Sequence, residues 1–213
     1  MKNNKKKYAL LIILILFIAF FSSQCMMTRT NTESKKTVAV ILPYTYNKEH
    51  SRILDAIRDY AYNNSIILDV WHEKSLSSNK LASIVSAEEQ NHTIDILLIY
   101  PENYLQEKEQ HYDYANMLAI TDTMQSSFSH HASFETSPSP SYLLPVSARV
   151  IKKVHEGKTD CIYIKNTYKL GYESIQMLDT YSRNKHMNDI SIPYQKVDKA
   201  AIESGKLDAL LTN

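Results

Sequence analysis

The sequence predicts an α/β fold built on a parallel sheet, and three observations support this prediction. Thr37–Pro43 is a short apolar run rich in β-branched residues, which is typical of a strand buried on both faces. Apolar residues then recur at helical spacing from Ile53 to Ala61. Strand and helix patterns keep alternating as far as Pro101. Such β-α-β-α-β units close into a parallel sheet with right-handed crossovers.

The elements of the first half follow from local patterns. Asn47 is placed to cap the first helix, and Asn63 and Asn64 are placed to end it, because asparagine tolerates the left-handed conformation. The following elements are predicted in this order: a strand at 66–71, a helix with Leu81, Ile84 and Val85 on one face, a strand at 95–101, a charged helix-compatible stretch at 102–114 and a strand at 117–122.

The second half begins with a stretch that lacks an apolar period. Residues 124–141 are rich in Ser, His and Pro, which favours a loop, a connection between lobes or partial disorder. Order is predicted again from Leu143. The expected elements are a short strand or helix at 146–155, a strand at 161–164, a helix entered through Gly171, a strand at 190–194, a short helix at 199–204 and a last strand at 207–213.

Composition excludes several classes of function. The chain has three glycines in 213 residues, and the first of them is Gly157, so a glycine-rich phosphate loop is excluded from the first half. Four of the 24 basic residues are lysines that precede Tyr8, which leaves the rest of the chain slightly acidic. This distribution contains no basic patch and indicates no nucleic-acid partner.

The N-terminus resembles an export or anchoring segment. Lys5–Lys7 precede an uncharged apolar run at 8–21, as in a secretory signal. Uncharged residues continue to Met27, so cleavage, retention as a membrane anchor and lipidation at Cys25 are all compatible with the sequence. The lysines favour a cytoplasmic N-terminus and an extracytoplasmic remainder tethered to the membrane or exported.

Several short phrases resemble the type I periplasmic-binding-protein superfamily, which includes sugar-binding receptors of ABC transporters and the ligand domains of LacI-type regulators. The matching phrases are Val38–Pro43, Ile53–Ile57, Ile94–Pro101, Leu118–Asp122, Asn166–Tyr172 and Leu207–Asn213. The sequence departs from the family at Asp55 and Asn64, where glycine is usual, and at Asn166–Thr167, where Asp-Asn is usual.

The resemblance implies two α/β lobes preceded by a leader. The implied parts are a signal or anchor at 1–27, a polar tether at 28–36, a first lobe at 37–123, a connection at 124–144 and a second lobe at 145–213. Family members continue with further elements after the position of Asn213, so the second lobe is expected to be shortened and incomplete.

The resemblance also implies a ligand site between the lobes, built from residues at the strand ends. By position, the candidates are Tyr44, Tyr46, Asn47, Asp122, Asn166 and Asn213. Local chemistry gives several of them a second interpretation. Asp122 could equally cap a helix, Asn166 suits a turn, and Tyr44 and Tyr46 suit packing at the surface or between lobes.

The expected function is that of an extracytoplasmic protein that captures a small polar solute, such as a sugar, for an ABC permease or a membrane sensor kinase. One alternative is a reduced module that binds no solute and docks onto a sensor kinase or transporter subunit. A second is a hydrolase on a flavodoxin-like sheet, but no nucleophile motif is present. The eight histidines lack the spacing of a zinc site, so no metal site is expected. With no catalytic motif in the sequence, no enzyme activity or cofactor is expected either.

Overall fold

The computed structural model describes residues 35–45, 47–90, 95–106, 111–112, 114, 116–122, 128–135 and 147–205. The predicted leader at 1–27, most of the tether and the last predicted strand at 207–213 lie outside the described residues, and these expectations stay predictions. In the part of the chain that is described, no helix is both long and apolar enough to cross a membrane.

The helices and strands alternate along the chain. In order, the elements are β1 Thr37–Pro43, α1 Lys48–Asn63, β2 Ile67–Glu73, α2 Ser78–Gln90, β3 Asp95–Ile99, a 3-10 turn at Pro101–Asn103, β4 Met117–Ile120, β5 His131–Phe134, α3 Ala148–His155, β6 Cys161–Ile164, α4 Thr167–Asn184, β7 Ile190–Ile192, β8 Gln195–Asp198 and α5 Lys199–Glu203.

Six of these strands form one parallel sheet, in the order β2-β1-β3-β4-β5-β7. The predicted α/β class with a parallel sheet is therefore confirmed. The chain passes from β1 to β2 on one side and then to β3 on the other side of β1. The carboxyl ends of β1 and β3 thus flank the point where the strand order reverses, which is where ligands bind in open α/β sheets.

The central strands are apolar along their whole length because helices cover both faces of the sheet. Val38, Val40 and Leu42 pack into a core with residues of α1 and α4. Ala39 and Ile41, which point to the opposite face, pack into a second core with residues of α2. All five of these side chains are fully buried. This two-sided burial explains why β1 reads as a continuous apolar run.

A separate, smaller layer is built from the remaining strands and two short helices. β6 and β8 pair antiparallel. Their side chains form a third core with residues of α3 and α5, made of Val154, Ile162, Ile164 and Val197 with Val150 and Ile202 packed against it. β7 lies within the predicted second lobe at 145–213, but it pairs with β5 and belongs to the main sheet. The domain boundaries given by the resemblance stay a prediction.

The first helix begins as the sequence predicts, but a different residue from the predicted one adopts the left-handed conformation at its end. Asn47 Oδ1 accepts the backbone N–H of His50, and the His50 ring accepts the N–H of Asn47, which together form a capping box. α1 ends at Asn63, but the left-handed residue is Ser65, with φ of 56°. The prediction that Asn63 or Asn64 adopts this conformation is wrong for Asn64, whose φ is −110°.

Two segments differ from the sequence prediction, and a third segment that the sequence left unassigned is a helix. The stretch predicted to be a loop contains β5, in which Ala132 and Phe134 are buried. Four residues are too few to show a period, and the strand is stabilised by parallel pairing with β4 and β7. The unassigned stretch 146–155 contains α3, and the start of the helix-compatible stretch 102–114 is a 3-10 turn.

Gly171 lies inside α4 and is not its entry point. The helix begins at Thr167, and Asn166 Oδ1 caps it by accepting the N–H of Lys169 at 2.9 Å. A Cβ on Gly171 would lie 2.5 Å from the carbonyl oxygen of Ile53. Glycine is therefore required here because α4 and α1 approach each other closely, and not because a turn is needed.

Candidate functional site

Polar side chains from four separate segments meet at the carboxyl edge of the main sheet. Glu49 lies in the first turn of α1, just after β1, while Tyr100 and Asp122 follow β3 and β4. Lys165 comes from the smaller layer, at the end of β6. Contacts among them join the point where the strand order reverses to the second layer. We call these four residues the carboxyl-edge cluster.

Lys165 lies at the centre of this cluster. Its Nζ is 3.3 Å from Glu49 Oε1 and 3.1 Å from Asp122 Oδ1. Burial lowers the pKa of Lys165, but the charges of Glu49 and Asp122 outweigh burial and hold it above its usual value. The same Nζ lies 5.4 Å from the centre of the Phe134 ring, within the range of a cation–π contact. The lysine is therefore fully protonated at neutral pH.

Tyr100 forms a hydrogen bond to Glu49, and its backbone is in a strained conformation. Its hydroxyl donates to Glu49 Oε1 at 2.9 Å. Burial, followed by the charges of Glu49 and Asp122, raises the pKa of this phenol, so it remains a hydrogen-bond donor. Its φ of 47° and ψ of 56° are left-handed, which is rare for a bulky residue and costs about 1–3 kcal/mol. Such strain is concentrated at functional sites.

His50 lies beside this pair as a neutral group. Its ring centre is 5.1 Å from that of Tyr100. Burial lowers the pKa of His50, although Glu49 and Asp122 act in the opposite direction. Because Nδ1 accepts the N–H of Asn47, the proton of the neutral ring is on Nε2. His50 therefore adds a polar surface to the cluster without adding a positive charge.

A third carboxylate fixes the loop that carries Asp122. Glu102 Oε1 accepts the backbone N–H of Asp122 at 2.6 Å. Glu102 belongs to the 3-10 turn directly after Tyr100, so the ends of β3 and β4 are tied together. The Glu49 and Asp122 carboxylates thus contact Lys165, and Glu102 holds the backbone beside Asp122.

Two aromatic side chains border the cluster on the side of β5 and β7. Phe134 ends β5, and its ring centre lies 5.5 Å from that of Tyr194, just beyond β7. Phe134 is almost fully buried, whereas Tyr194 is partly exposed. The cluster thus combines carboxylates, an ammonium group and an aromatic surface, which together suit a small polar solute with an apolar face.

The structure brings one of the sequence-predicted residues into the cluster and gives others structural roles. Asp122 contacts Lys165 directly. Asn47 and Asn166 cap α1 and α4, as the alternative interpretation of Asn166 expected. Tyr44 is 56% exposed, with the Lys74 Nζ 4.7 Å from its ring centre. Tyr46, Asn213 and the candidate lipidation site Cys25 lie outside the described residues. Ligand contacts for all these positions stay predictions.

Sequence reasoning missed Glu49, Tyr100 and Lys165. The usable signal was position, since Lys165 comes directly after the strand predicted at 161–164 and Tyr100 lies near the end of the strand predicted at 95–101. Charged residues at such positions look like ordinary solvated residues until the strand order is known. Glu49 and Lys165 are 116 residues apart in the chain. Within the described ranges, no three His, Cys, Asp or Glu side chains are arranged to hold a metal ion.

Comparison with known proteins identifies similar folds at low sequence identity. No protein-family model matches the chain, and no curated protein matches it either. A mutant of the XylFII–LytSN complex is similar over 79% of this chain and 99% of its own, with 8% identity and a TM-score of 0.49. A carbohydrate transporter from Acidothermus cellulolyticus, in complex with myo-inositol, covers 82% of this chain and 98% of its own, with 12% identity and a TM-score of 0.47.

A third similar structure is an ABC transporter solute binding protein from Bacillus halodurans with bound myo-inositol. It covers 80% of this chain and 96% of its own, with 8% identity and a TM-score of 0.45. A putative LacI transcriptional regulator from Bacteroides fragilis is also similar, with 10% identity and a TM-score of 0.43. At 8–12% identity, the likeness to these structures concerns the fold alone.

Proposed function

We propose that this chain is an extracytoplasmic solute-binding protein that captures a small polar solute of the sugar class. The observation that supports this most is the carboxyl-edge cluster, in which Lys165 from the smaller layer contacts Glu49 and Asp122 of the main sheet. Ligands of open α/β folds bind at this edge, next to the point where the strand order reverses.

The chemistry of the cluster suits a hydroxylated ligand. The carboxylates of Glu49 and Asp122 accept hydrogen bonds from hydroxyl groups, and the Lys165 ammonium donates to ring or hydroxyl oxygens. The partly exposed Tyr194, whose ring packs against Phe134, offers a surface for the apolar face of a sugar ring. In this proposal, a solute replaces the lysine–carboxylate contacts with its own hydrogen bonds.

The carboxyl-edge cluster joins two layers that have separate hydrophobic cores, which supports a binding mode in which the layers close around the solute. The main sheet and the β6–β8 layer each have their own core. Lys165 follows β6 directly, so a small movement of that layer would move the ammonium group relative to Glu49 and Asp122. In the proposal, solute binding stabilises a closed arrangement of the two layers, as in hinge closure around other small ligands.

The sequence-predicted residues outside the cluster have subsidiary roles in this proposal. Asn47 and Asn166 use Oδ1 as helix caps. Each would contact the solute through its amide nitrogen, and Tyr44 would contact it through its exposed ring. The N-terminal leader would hold the protein outside the membrane, close to an ABC permease or sensor kinase that receives the solute.

Thermal unfolding of the full chain against a panel of sugars and small polar metabolites tests the proposal. A ligand at a hundred times its Kd adds about 2.7 kcal/mol to the free energy of unfolding. We expect one class of solute to raise the unfolding midpoint, and the Asp122→Asn variant to reduce that shift. A cooperative transition that no solute moves would contradict the proposal.

The second candidate function, docking onto a sensor kinase or transporter subunit without a solute, is favoured by one observation. β2 is the outer strand of the six-stranded sheet, and Ile67 at its start is 49% exposed. Edge strands with apolar side chains are surfaces on which other chains pair. A stable protein that ignores every solute but binds the extracytoplasmic part of a sensor kinase would support this candidate instead.

A further inference from the structure

The charges of the carboxyl-edge cluster favour a ligand that carries a positive charge. Glu49 and Asp122 supply two carboxylates, and the Lys165 ammonium group contacts both of them. His50, which lies beside Tyr100, adds no positive charge because burial lowers its pKa. A cationic solute would bring a second positive charge to these two carboxylates, whereas a neutral sugar would not.

The structure also shows how this edge of the sheet holds an ammonium group, which is that of Lys165. The Lys165 ammonium contacts one oxygen of Glu49 at 3.3 Å and one of Asp122 at 3.1 Å. It also lies 5.4 Å from the centre of the Phe134 ring. Two carboxylates and an aromatic face form a favourable environment for a primary ammonium group, because both the charges and the ring quadrupole attract it. We call Glu49, Asp122 and Phe134 the ammonium subsite.

Lys165 is suited to leave this subsite when a ligand arrives. Its side chain is 32% exposed, and its two carboxylate partners are 30% and 47% exposed. Ion pairs with this degree of exposure contribute little to stability, and the long lysine side chain can turn its charge into water at low cost. A ligand ammonium group that is pre-positioned by other contacts can therefore replace it.

We propose that the solute of this protein carries a protonated primary amine, as an amino sugar does, and that its ammonium group replaces that of Lys165 between Glu49 and Asp122. This inference rests on the proposed solute-binding function and specifies the chemical class of the solute. Lys165 then acts as an internal substitute for the ligand cation. While no ligand is bound, its positive charge offsets the repulsion between the two carboxylates.

Matched pairs of sugars test the inference. The unfolding midpoint of the full chain is measured with D-glucosamine, D-galactosamine and D-mannosamine, each beside its parent neutral sugar. We expect an amino sugar to raise the midpoint and to bind about tenfold or more tightly than its neutral partner, since hydrogen bonds between charged groups are stronger than those of a neutral hydroxyl group. Asp122→Asn should remove this preference, and Asp69→Asn, on the exposed side of β2, should retain it.

The Lys165→Ala variant provides a second, independent test. With the internal ammonium removed, n-propylammonium should raise the unfolding midpoint of Lys165→Ala, while n-propanol of the same shape should not. The double variant Lys165→Ala, Asp122→Asn should respond to neither compound.

The outcomes separate this inference from the proposed function. If a neutral sugar raises the midpoint as much as its amino partner, the protein is a solute receptor but the amine inference is wrong. If no sugar shifts the midpoint and propylammonium does not stabilise Lys165→Ala, both the inference and the solute-binding function are wrong. A preference for the amine that depends on Asp122 supports both.

Discussion

Two lysines of this chain each lie between two carboxylates, at opposite edges of the same sheet. At the amino edge, Lys36 Nζ is 2.7 Å from Asp95 Oδ2 and 3.3 Å from Asp179 Oδ1. At the carboxyl edge, Lys165 contacts Glu49 and Asp122 at similar distances. The carboxylates around Lys36 are only 1% and 7% exposed, whereas those around Lys165 are 30% and 47% exposed.

This difference in burial separates a structural cluster from the cluster that we propose binds a solute. Lys36 also donates to the carbonyl of Leu178, and the Tyr60 hydroxyl donates to Asp179 Oδ2, so the amino-edge cluster is enclosed in a hydrogen-bonded network. Buried charges cannot exchange partners without a large desolvation cost. The partly exposed charges around Lys165 can do so. The same three chemical groups therefore fix α4 to the sheet at one edge and form the proposed solute-binding cluster at the other.

The largest expected effect is at the amino edge. Lys36→Met removes the ammonium group that contacts the buried carboxylates of Asp95 and Asp179, and removal of one member of a buried ion pair costs about 3–5 kcal/mol. Urea unfolding of the full chain measures this loss. The matched control is Lys165→Met, which should cost about 1 kcal/mol or less because its ion pairs are partly exposed. Equal losses in the two variants would contradict the distinction between the clusters.

The next effect is expected in α4, the helix that links the two clusters. Asn166, next to Lys165, caps its start, and Asp179 lies near its end. Gly171→Ala places a methyl group 2.5 Å from the Ile53 carbonyl oxygen, and overpacking of this kind costs about 1–3 kcal/mol. Urea unfolding should show the loss, while Gln176→Ala, at an exposed position of the same helix, should be close to neutral. An unchanged midpoint for Gly171→Ala would mean that α1 and α4 are further apart than described.

A smaller effect is expected at the cap of α1, which positions Glu49. Asn47→Ala removes the acceptor of the His50 N–H and should cost about 1 kcal/mol of unfolding free energy. Asn47→Asp keeps an acceptor and should retain most of the stability. If Asn47→Asp lowers solute affinity while it preserves stability, Asn47 contacts the solute as well as capping the helix. A loss of stability as large as that of Asn47→Ala would contradict the capping role.

The smallest effect is a pH dependence that arises from His50. Its folded-state pKa lies below its unfolded value near 6.5, because burial disfavours the charged ring. The stability that His50 contributes is therefore complete above that value and is lost as the pH falls below it. His50→Gln keeps an acceptor for the capping box and should show a shallower loss of stability below about pH 6.5 in urea unfolding. Identical pH profiles for the variant and the wild type would contradict the assignment.

Most of the main sheet could be predicted from sequence because its central strands are buried on both faces. β1, β3 and β4 read as apolar runs, and α1 shows its buried face at helical spacing. β5 could not be predicted in this way. His131–Phe134 has only four residues, and its partners β4 and β7 are distant in the chain. Its strand conformation is set by pairing, which a local pattern does not contain.

The candidate site was predictable only where a side chain follows an obvious strand. Asp122 met this condition, and the structure places it against Lys165. Glu49 did not, because a glutamate in the first turn of a helix is ordinary on helix-dipole grounds. Lys165 lies in a different layer of the molecule, so its contact with Glu49 depends on how the β6–β8 layer packs beside the main sheet. Neither relation is encoded within a short window of sequence.

The most direct test of the functional distinction is the affinity of the wild type and two charge-neutralised variants for the solute that raises the unfolding midpoint. Glu49→Gln removes a carboxylate of the carboxyl-edge cluster, and Asp55→Asn removes an exposed carboxylate from the same helix. Isothermal titration calorimetry should show at least about a tenfold weaker Kd for Glu49→Gln, a loss of about 1.4 kcal/mol, with Asp55→Asn unchanged. Equal affinity in all three proteins would contradict the account and would place the binding site elsewhere.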